Sequence, residues 1–493
     1  MTYARLQTGP ESATILYEVV AERLLGLVSD GVFRCGDRLP SIRRLARDWH
    51  VSLNTVTTAY ALLESRGRIV VRSQSGHYVA SEPTAVRSQQ PSASGRFRLV
   101  STPVKLGSRR QAIQSDLTRR DVLPLGGGGP NPDLLPKERL HRITARQLRR
   151  FPHDGISYAP ANGFESLRTA IARRAIGYAQ ALSPDDIIIT AGCTEAVTLA
   201  LRATCRPGDT IAIGSPVYYS FLNLIESLSL RVLEVPPGHG DGLDLDFLAA
   251  AAERQMISAC LAIPNFNNPL GNAMSSESKR RLVELLSRWG IPLIEDDVYG
   301  DLGFAAERPS WCQRYDRDGL VLSCSSFSKT LAPGYRIGWI AAARYRARVA
   351  ALKSLSSVAA ASPMQLAVAE FLENGGYDHH LRSLRRAYQR QTASMRSAVL
   401  QSFPAGTVVS PPAGGSVLWV RLPGSADATS LHEQALRAGI AIAPGRLFSL
   451  GRRFGDCFRL NAAHWSPAVE DAIGRLGTMV HALPVADSER GLA

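Results

Sequence analysis

A chain of 493 residues, 45% apolar, is too long for one ordinary hydrophobic core and predicts two or three soluble domains. No run approaches the ~20 uninterrupted apolar residues of a membrane helix, and the opening MTYARLQTGPES lacks the apolar stretch of a secretory signal; seven cysteines without a CxxC pair argue against a disulfide framework and a thiolate metal site, so the expected compartment is the cytoplasm. The formal charge of +14 is unevenly spread: residues 1–110 hold 16 Lys+Arg against 8 Asp+Glu, and the other 383 hold 41 against 35, a positive density about five times higher in the N-terminal part, as a polyanion-binding segment requires.

Ile15, Leu16, Val19, Val20, Leu24, Leu27 and Val28 fall on one side of a first helix over 14–28. After GVFRCGD, Ser41 is placed to cap a short helix that turns Ile42, Leu45, Ala46 and Trp49 inward. His50-Val51-Ser52 leads into a third helix with Val56, Ala59, Tyr60 and Leu63 facing the core, and Ile69–Arg72 and His77–Ala80, separated by SQSG, form a hairpin. Three helices and a hairpin over 12–80 predict a winged helix. From 81 the text changes to Ser, Pro and Arg without periodicity, predicting a flexible basic linker over 81–115 with a span on the order of 30 Å.

Beyond it, over 116–480, apolar runs alternate with amphipathic helices at Ile187–Thr190, Thr210–Gly214, Arg231–Val235, Ala259–Pro264, Ile291–Asp296, Leu320–Ser325 and Ile337–Ala341. That alternation predicts an α/β fold with a largely parallel sheet, followed after 360 by a smaller α+β part with a long helix near Asp378–Leu400 and a strand at Ser416–Leu422.

Short polar residues open the third helix: Ser52, Asn54, Thr55 and Thr57 suit close entry to a major groove, with Asn54 able to contact adenine through two hydrogen bonds. Ser41, Arg43 and Arg44 at the second helix, together with Arg66, Arg72 and the wing residues Ser75, Gly76 and His77, suit phosphate or minor-groove contact. The segment GDRLPSIRRLARDWHVSLNTVTTAYALLESRGRIVVRSQSGHYV resembles the GntR family of winged-helix regulators across 12–80, which implies binding to double-stranded DNA. It departs from many relatives in carrying Leu53 and Thr57 where arginines often read guanines, which leaves the base preference open.

Only five lysines accompany 52 arginines, so a lysine inside SSFSKTLAPGYRIGW stands out. An amine can become neutral and attack a carbonyl, and hydroxyls with a guanidinium match a dianion. The motif resembles that of fold-type I aminotransferases, whose order residues 120–470 follow. The resemblance implies pyridoxal 5′-phosphate bound to Lys329 as a Schiff base, with its phosphate held by Ser326, Ser328 and Arg336 and by Gly192-Cys193-Thr194 at a helix N-terminus, Cys193 through its backbone. It implies Tyr218 stacked on the ring, leaving Tyr219 a core or surface residue, with Asn268 and Tyr299 on the ring oxygen, and Asp296, chosen over Asp297 by its offset from Tyr299, on the ring nitrogen. It also places Tyr158 on the phosphate of a neighbouring subunit, which implies a homodimer, and Arg459 on a substrate or effector carboxylate.

Together the two halves resemble the MocR branch of GntR regulators, in which the aminotransferase-like domain senses an amine, an amino acid or the cofactor. Two other classes stay open: a working aminotransferase with an accessory DNA-binding domain, and a scaffold whose site no longer binds cofactor.

Overall fold

The helical spacing of apolar residues in the N-terminal part has its counterpart in α1 (Leu16–Ser29), α2 (Ile42–Trp49) and α3 (Leu53–Ser65) of the computed structural model, followed by β1 (Ile69–Arg72) and β2 (Gly76–Val79). The structure describes residues 16–29, 32–33, 36–65, 69–72, 76–79, 97–117, 119, 121–176, 182–238, 242–305, 307–424, 426–451 and 453–483. Residues 1–88 and 89–493 are separate compact units.

In the first unit Val20, Leu24, Leu45, Val56, Tyr60, Leu63 and Ile69 form one core, each large side chain contributing about 1.5–3 kcal/mol relative to exposure. The Ser41 hydroxyl accepts the Arg44 N–H at 3.3 Å and starts α2, a cap that stabilises by about 1 kcal/mol. The left-handed backbone of His50 (φ 52°) ends that helix, and the Ser52 hydroxyl accepts the Thr55 N–H at 3.0 Å to open α3. Tyr60 donates to the Pro40 carbonyl at 2.7 Å, tying α3 to the turn before α2. The hairpin pairs Ile69 with Val79 and Arg72 with Gly76, so the second strand begins one residue earlier than its pattern predicts.

The second unit is built on a sheet of eight strands: β3 (Thr102–Pro103), β4 (Ile187–Thr190), β5 (Thr210–Gly214), β6 (Arg231–Val235), β7 (Ala259–Ala262), β8 (Leu293–Asp296), β9 (Val321–Ser326) and β10 (Gly338–Ala341), in the order β3-β6-β5-β7-β8-β9-β10-β4. Strands β5 to β9 are parallel, while β10 runs antiparallel to both β9 and β4. Both faces are covered, so β4, β5, β7 and β8 are buried throughout and read as continuous apolar runs.

The linker predicted over 81–115 is corrected at its C-terminal end. Thr102 and Pro103 pair with Val232 and Arg231, and Ser108–Asp116 is a helix whose Arg110 donates to the carbonyls of Arg446 at 2.9 Å and Ser449 at 3.0 Å. The partners of this stretch lie far along the chain, so local composition carries no trace of them; residues 81–96 of the predicted linker lie outside the described residues.

The smaller part is an antiparallel sheet of β11 (Val408–Val409), β12 (Val417–Arg421), β13 (Ala443–Pro444) and β14 (Cys457–Asn461), in the order β11-β12-β14-β13. Met395, Val399, Leu431, Ile473 and Leu476 from the helices Gly376–Ser402, Ala428–Arg437 and Pro467–His481 share a core with Leu418, Val420, Phe458 and Leu460 of that sheet. Among the described residues no helix is long and apolar enough to cross a membrane.

Candidate cofactor site and nucleic-acid interface

Ligands of open α/β sheets gather at the carboxyl ends of parallel strands. There the chain places Tyr218 after β5, Asn268 after β7, Asp296 at the end of β8 and Ser326 at the end of β9, with Lys329 in the turn that follows. Lys329 Nζ donates to the Gly128 carbonyl at 2.7 Å and stands 5.9 Å from the centre of the Tyr299 ring. Asn268 Nδ2 donates to the Tyr299 hydroxyl at 3.2 Å, which leaves that hydroxyl's own proton to give. Burial pushes the Tyr299 phenol up to about 12 and raises that of Tyr218 as well, so both stay protonated at neutral pH.

Asp296 is buried, and burial pushes its carboxyl up to about 6, against the donors that favour its charged form. Both of those donors meet Oδ1: the Val298 N–H at 3.1 Å and the Cys193 thiol at 3.3 Å. Asp297 is held elsewhere, by Arg308, by the Trp311 indole and by Asn265 Nδ2 at 2.6 Å. The environment therefore favours Asp296 as the carboxylate that meets a cationic ring nitrogen. The thiol contact gives Cys193 a side-chain role beside the backbone role expected of it.

Gly192 (φ 89°) precedes the helix Cys193–Thr204, and no side chain caps that helix. A Cβ on Gly192 would collide with Arg336 Nη2, so only glycine allows the guanidinium to close over the loop. Arg336 donates to the Ala191 carbonyl at 2.9 Å and to the Ser328 hydroxyl at 3.3 Å, and the Ser328 N–H reaches the Ser326 hydroxyl at 3.3 Å. Thr194 sits exposed in the first turn.

Arg459, on β14, is fully buried. It donates to Asn268 Oδ1 at 2.7 Å and to the Gly126 carbonyl, and lies over Phe448 and Tyr219 at 5.1 and 5.6 Å. Among the described residues no carboxylate pairs with it, and its Nε has no partner. Tyr219, expected as a core or surface residue, thus floors this guanidinium.

Sequence reasoning missed Gly126–Gly129. Their carbonyls receive Arg459, Lys329 and, at 2.8 Å, Asn461 Nδ2, while a Cβ on Gly126 would sit 2.5 Å from the Ala443 nitrogen. Four successive glycines were the available signal, and at Gly126 the backbone does approach its neighbours too closely for a side chain. Tyr158 is 88% exposed.

On the first unit Ser41, Arg43, Arg44, Ser52, Asn54 and Thr57 are exposed along α2 and α3, and Thr55 is half-buried. Several are also engaged locally: Ser41 and Ser52 cap, Thr57 donates to the Leu53 carbonyl at 2.8 Å, and Arg44 lies 3.6 Å from Asp48. Of these residues, Asn54 and Arg43 have no side-chain partner among the described residues, and Leu53 beside them is 52% exposed. His77 stacks on Tyr60 at 4.6 Å, so its ring belongs to the hairpin's packing, and Gly76 approaches Arg38. Arg66, Ser75 and the side chain of Arg72 lie outside the described residues.

A predominantly parallel sheet with a lysine, a buried carboxylate, a tyrosine–asparagine pair and an arginine-closed glycine loop at its carboxyl edge defines a fold-type I aminotransferase domain. Residues 137–476 match the family model for aminotransferase class I and II, and residues 16–79 match that for bacterial regulatory proteins of the gntR family. The chain is 37% identical over 465 residues to the HTH-type transcriptional regulator YdcR of Escherichia coli, covering 94% of this chain and 98% of that one. Among solved structures it is similar to the multiple substrate aminotransferase of Thermococcus profundus (26% identity, TM-score 0.71, 77% of this chain and 96% of that one). It is also similar to LysN, the alpha-aminoadipate aminotransferase of Thermus thermophilus complexed with N-(5′-phosphopyridoxyl)-L-leucine (27% identity, TM-score 0.69, 77% of this chain and 95% of that one). The chain belongs to the GntR-type regulators that carry an aminotransferase class I/II domain, the MocR arrangement.

The cofactor indicated by this fold is pyridoxal 5′-phosphate, and the donor set fits it. An uncapped helix end with Arg336 suits the phosphate, Asp296 the ring nitrogen, Asn268 and Tyr299 the ring oxygen, and Lys329 the aldehyde.

Proposed function

We propose that the chain is a cytoplasmic, homodimeric transcription regulator whose winged helices bind double-stranded DNA and whose second domain senses a carboxylated amine. The observation that carries this reading is Arg459, a buried guanidinium with no carboxylate partner among the described residues, linked through Gly126–Gly129 to the amine of Lys329. A buried charge is costly until an opposite charge joins it, so a small carboxylate is the natural occupant. Bound through Lys329, pyridoxal 5′-phosphate supplies an electrophilic carbon that takes up amines. Asp296 keeps its negative charge where the ring nitrogen sits, Tyr299 donates, and Arg459 orients the carboxylate end, so the residues select for an amine and an acid in one small molecule. The ligand reaches the DNA only by binding two states of the protein unequally.

The test is a titration of DNA from upstream of the protein's own gene, with and without pyridoxal 5′-phosphate and a panel of amines, at several salt concentrations. Affinity is expected to change with a carboxylated amine and to fall steeply with salt; Arg43→Ala is expected to weaken binding and reduce the salt slope by about 0.9. A slope unchanged by Arg43→Ala removes that residue from the phosphate contacts.

The exposure of Tyr158 and, equally, of Ile156 supports a two-fold dimer in which each cofactor phosphate is completed by the other chain. Sedimentation of the cofactor-loaded protein as a dimer is expected; a monomer that retains cofactor overturns it. A working aminotransferase is the second reading, favoured by the presence of Lys329, Asp296 and Arg459 together, and turnover of amino donors with keto acids decides it.

A further inference from the structure

Of the chain's five lysines, Lys353 is fully buried, on the helix Arg346–Ser356, outside the set already assigned to the cofactor. Its ammonium lies 3.3 and 3.4 Å from the two carboxylate oxygens of Glu195 and donates to the Ser357 hydroxyl at 2.7 Å; that hydroxyl donates in turn to Glu195. Glu195 is in the first turn of the helix whose uncapped amide end forms the glycine loop, and its other contact is the Ala191 N–H at 2.5 Å. The backbone of Ala191 is thus held at both of its peptide groups, its N–H by Glu195 and its carbonyl by Arg336 at 2.9 Å.

This arrangement carries an electrostatic conflict. The loop's amides face a dianion, yet the carboxylate that sets the loop's shape stands on the same turn, where its charge repels that dianion. We infer that Lys353 is a positioning residue for the cofactor phosphate: it cancels the charge of Glu195, so that Glu195 shapes the loop without repelling the phosphate. The inference rests on the reading of Gly192–Thr194 as the phosphate cradle. The bond to the Ala191 N–H alone explains Glu195, but it gives no reason for a buried lysine behind it.

The test uses the full-length protein as wild type, Lys353→Met, Glu195→Gln and the double variant, each titrated with pyridoxal 5′-phosphate and with pyridoxal, which lacks the phosphate, by the absorbance that appears when Lys329 captures the aldehyde. Lys353→Met is expected to lose about tenfold or more in affinity for the phosphate ester and less than about twofold for pyridoxal, and the double variant to return to near wild type. Glu195→Gln, which keeps the lysine, is expected to bind the phosphate ester at least as tightly as wild type, and it decides the matter should Lys353→Met fail to fold. Equal losses for both ligands, no loss, weaker phosphate-ester binding by Glu195→Gln, or no recovery in the double variant overturns the inference. A wild type that does not distinguish the two ligands overturns the cradle itself.

Discussion

Lys329→Ala is expected to leave operator binding unchanged and to abolish the change in DNA affinity that an effector amine produces. The winged helix has its own core, centred on Val20, Leu24, Val56 and Tyr60, and residues 1–88 are a compact unit apart from the one that holds Lys329. Losing a half-buried side chain whose hydrogen bond goes to the Gly128 carbonyl removes one contact within the site and nothing from that core. What disappears is the amine with which an effector amine competes, and with it the differential affinity that shifts the two states. One titration decides it: operator DNA with wild type and Lys329→Ala, each with and without effector, read beside the visible spectrum. A variant that still responds fully means that the site senses by non-covalent binding, with Arg459 and its neighbours sufficient.

The parts of the molecule written locally in the sequence were readable from it. The buried strands appear as apolar runs because both faces of the sheet are covered, and Ser41 announces α2 because a short hydroxyl satisfies an otherwise orphaned N–H. The residues expected at the strand ends came from the resemblance to a family motif, and Lys329, Tyr299, Asn268 and Arg459 are neighbours in the structure. What stayed hidden depends on distant partners. The edge strand at Thr102–Pro103 exists only because Arg231 and Val232 come beside it, and nothing local marks β10 as the antiparallel strand. The thiol of Cys193 meets Asp296 across more than a hundred residues of sequence, and Glu195 meets Lys353 likewise. The stacking of His77 on Tyr60 is likewise a tertiary contact, which a wing-tip motif does not display.

Arg459→Ala is expected to raise the concentration of carboxylated amine needed for half-maximal response by about 10- to 100-fold, since a hydrogen bond to a charged group contributes about 1.5–3 kcal/mol and each 1.4 kcal/mol is tenfold. Amines without a carboxylate are expected to act as on wild type, because the lost group meets only the acid end. The protein itself should tolerate the change well. Removing a buried charge that has no carboxylate partner among the described residues removes an unfavourable burial, which offsets the two acceptors, Asn268 Oδ1 and the Gly126 carbonyl, left without their donor. Thermal unfolding of the ligand-free variant is therefore expected near the wild-type midpoint, with absorbance from bound cofactor retained, since Lys329, Asp296 and Arg336 are untouched. Paired dose–response curves for a carboxylated amine and for the same amine without its carboxylate isolate the effect. If both curves shift together, Arg459 supports the site as a whole through Asn268; if neither moves, the effector is not a carboxylate, and the charge of Arg459 serves the junction of β14 with the glycine segment alone.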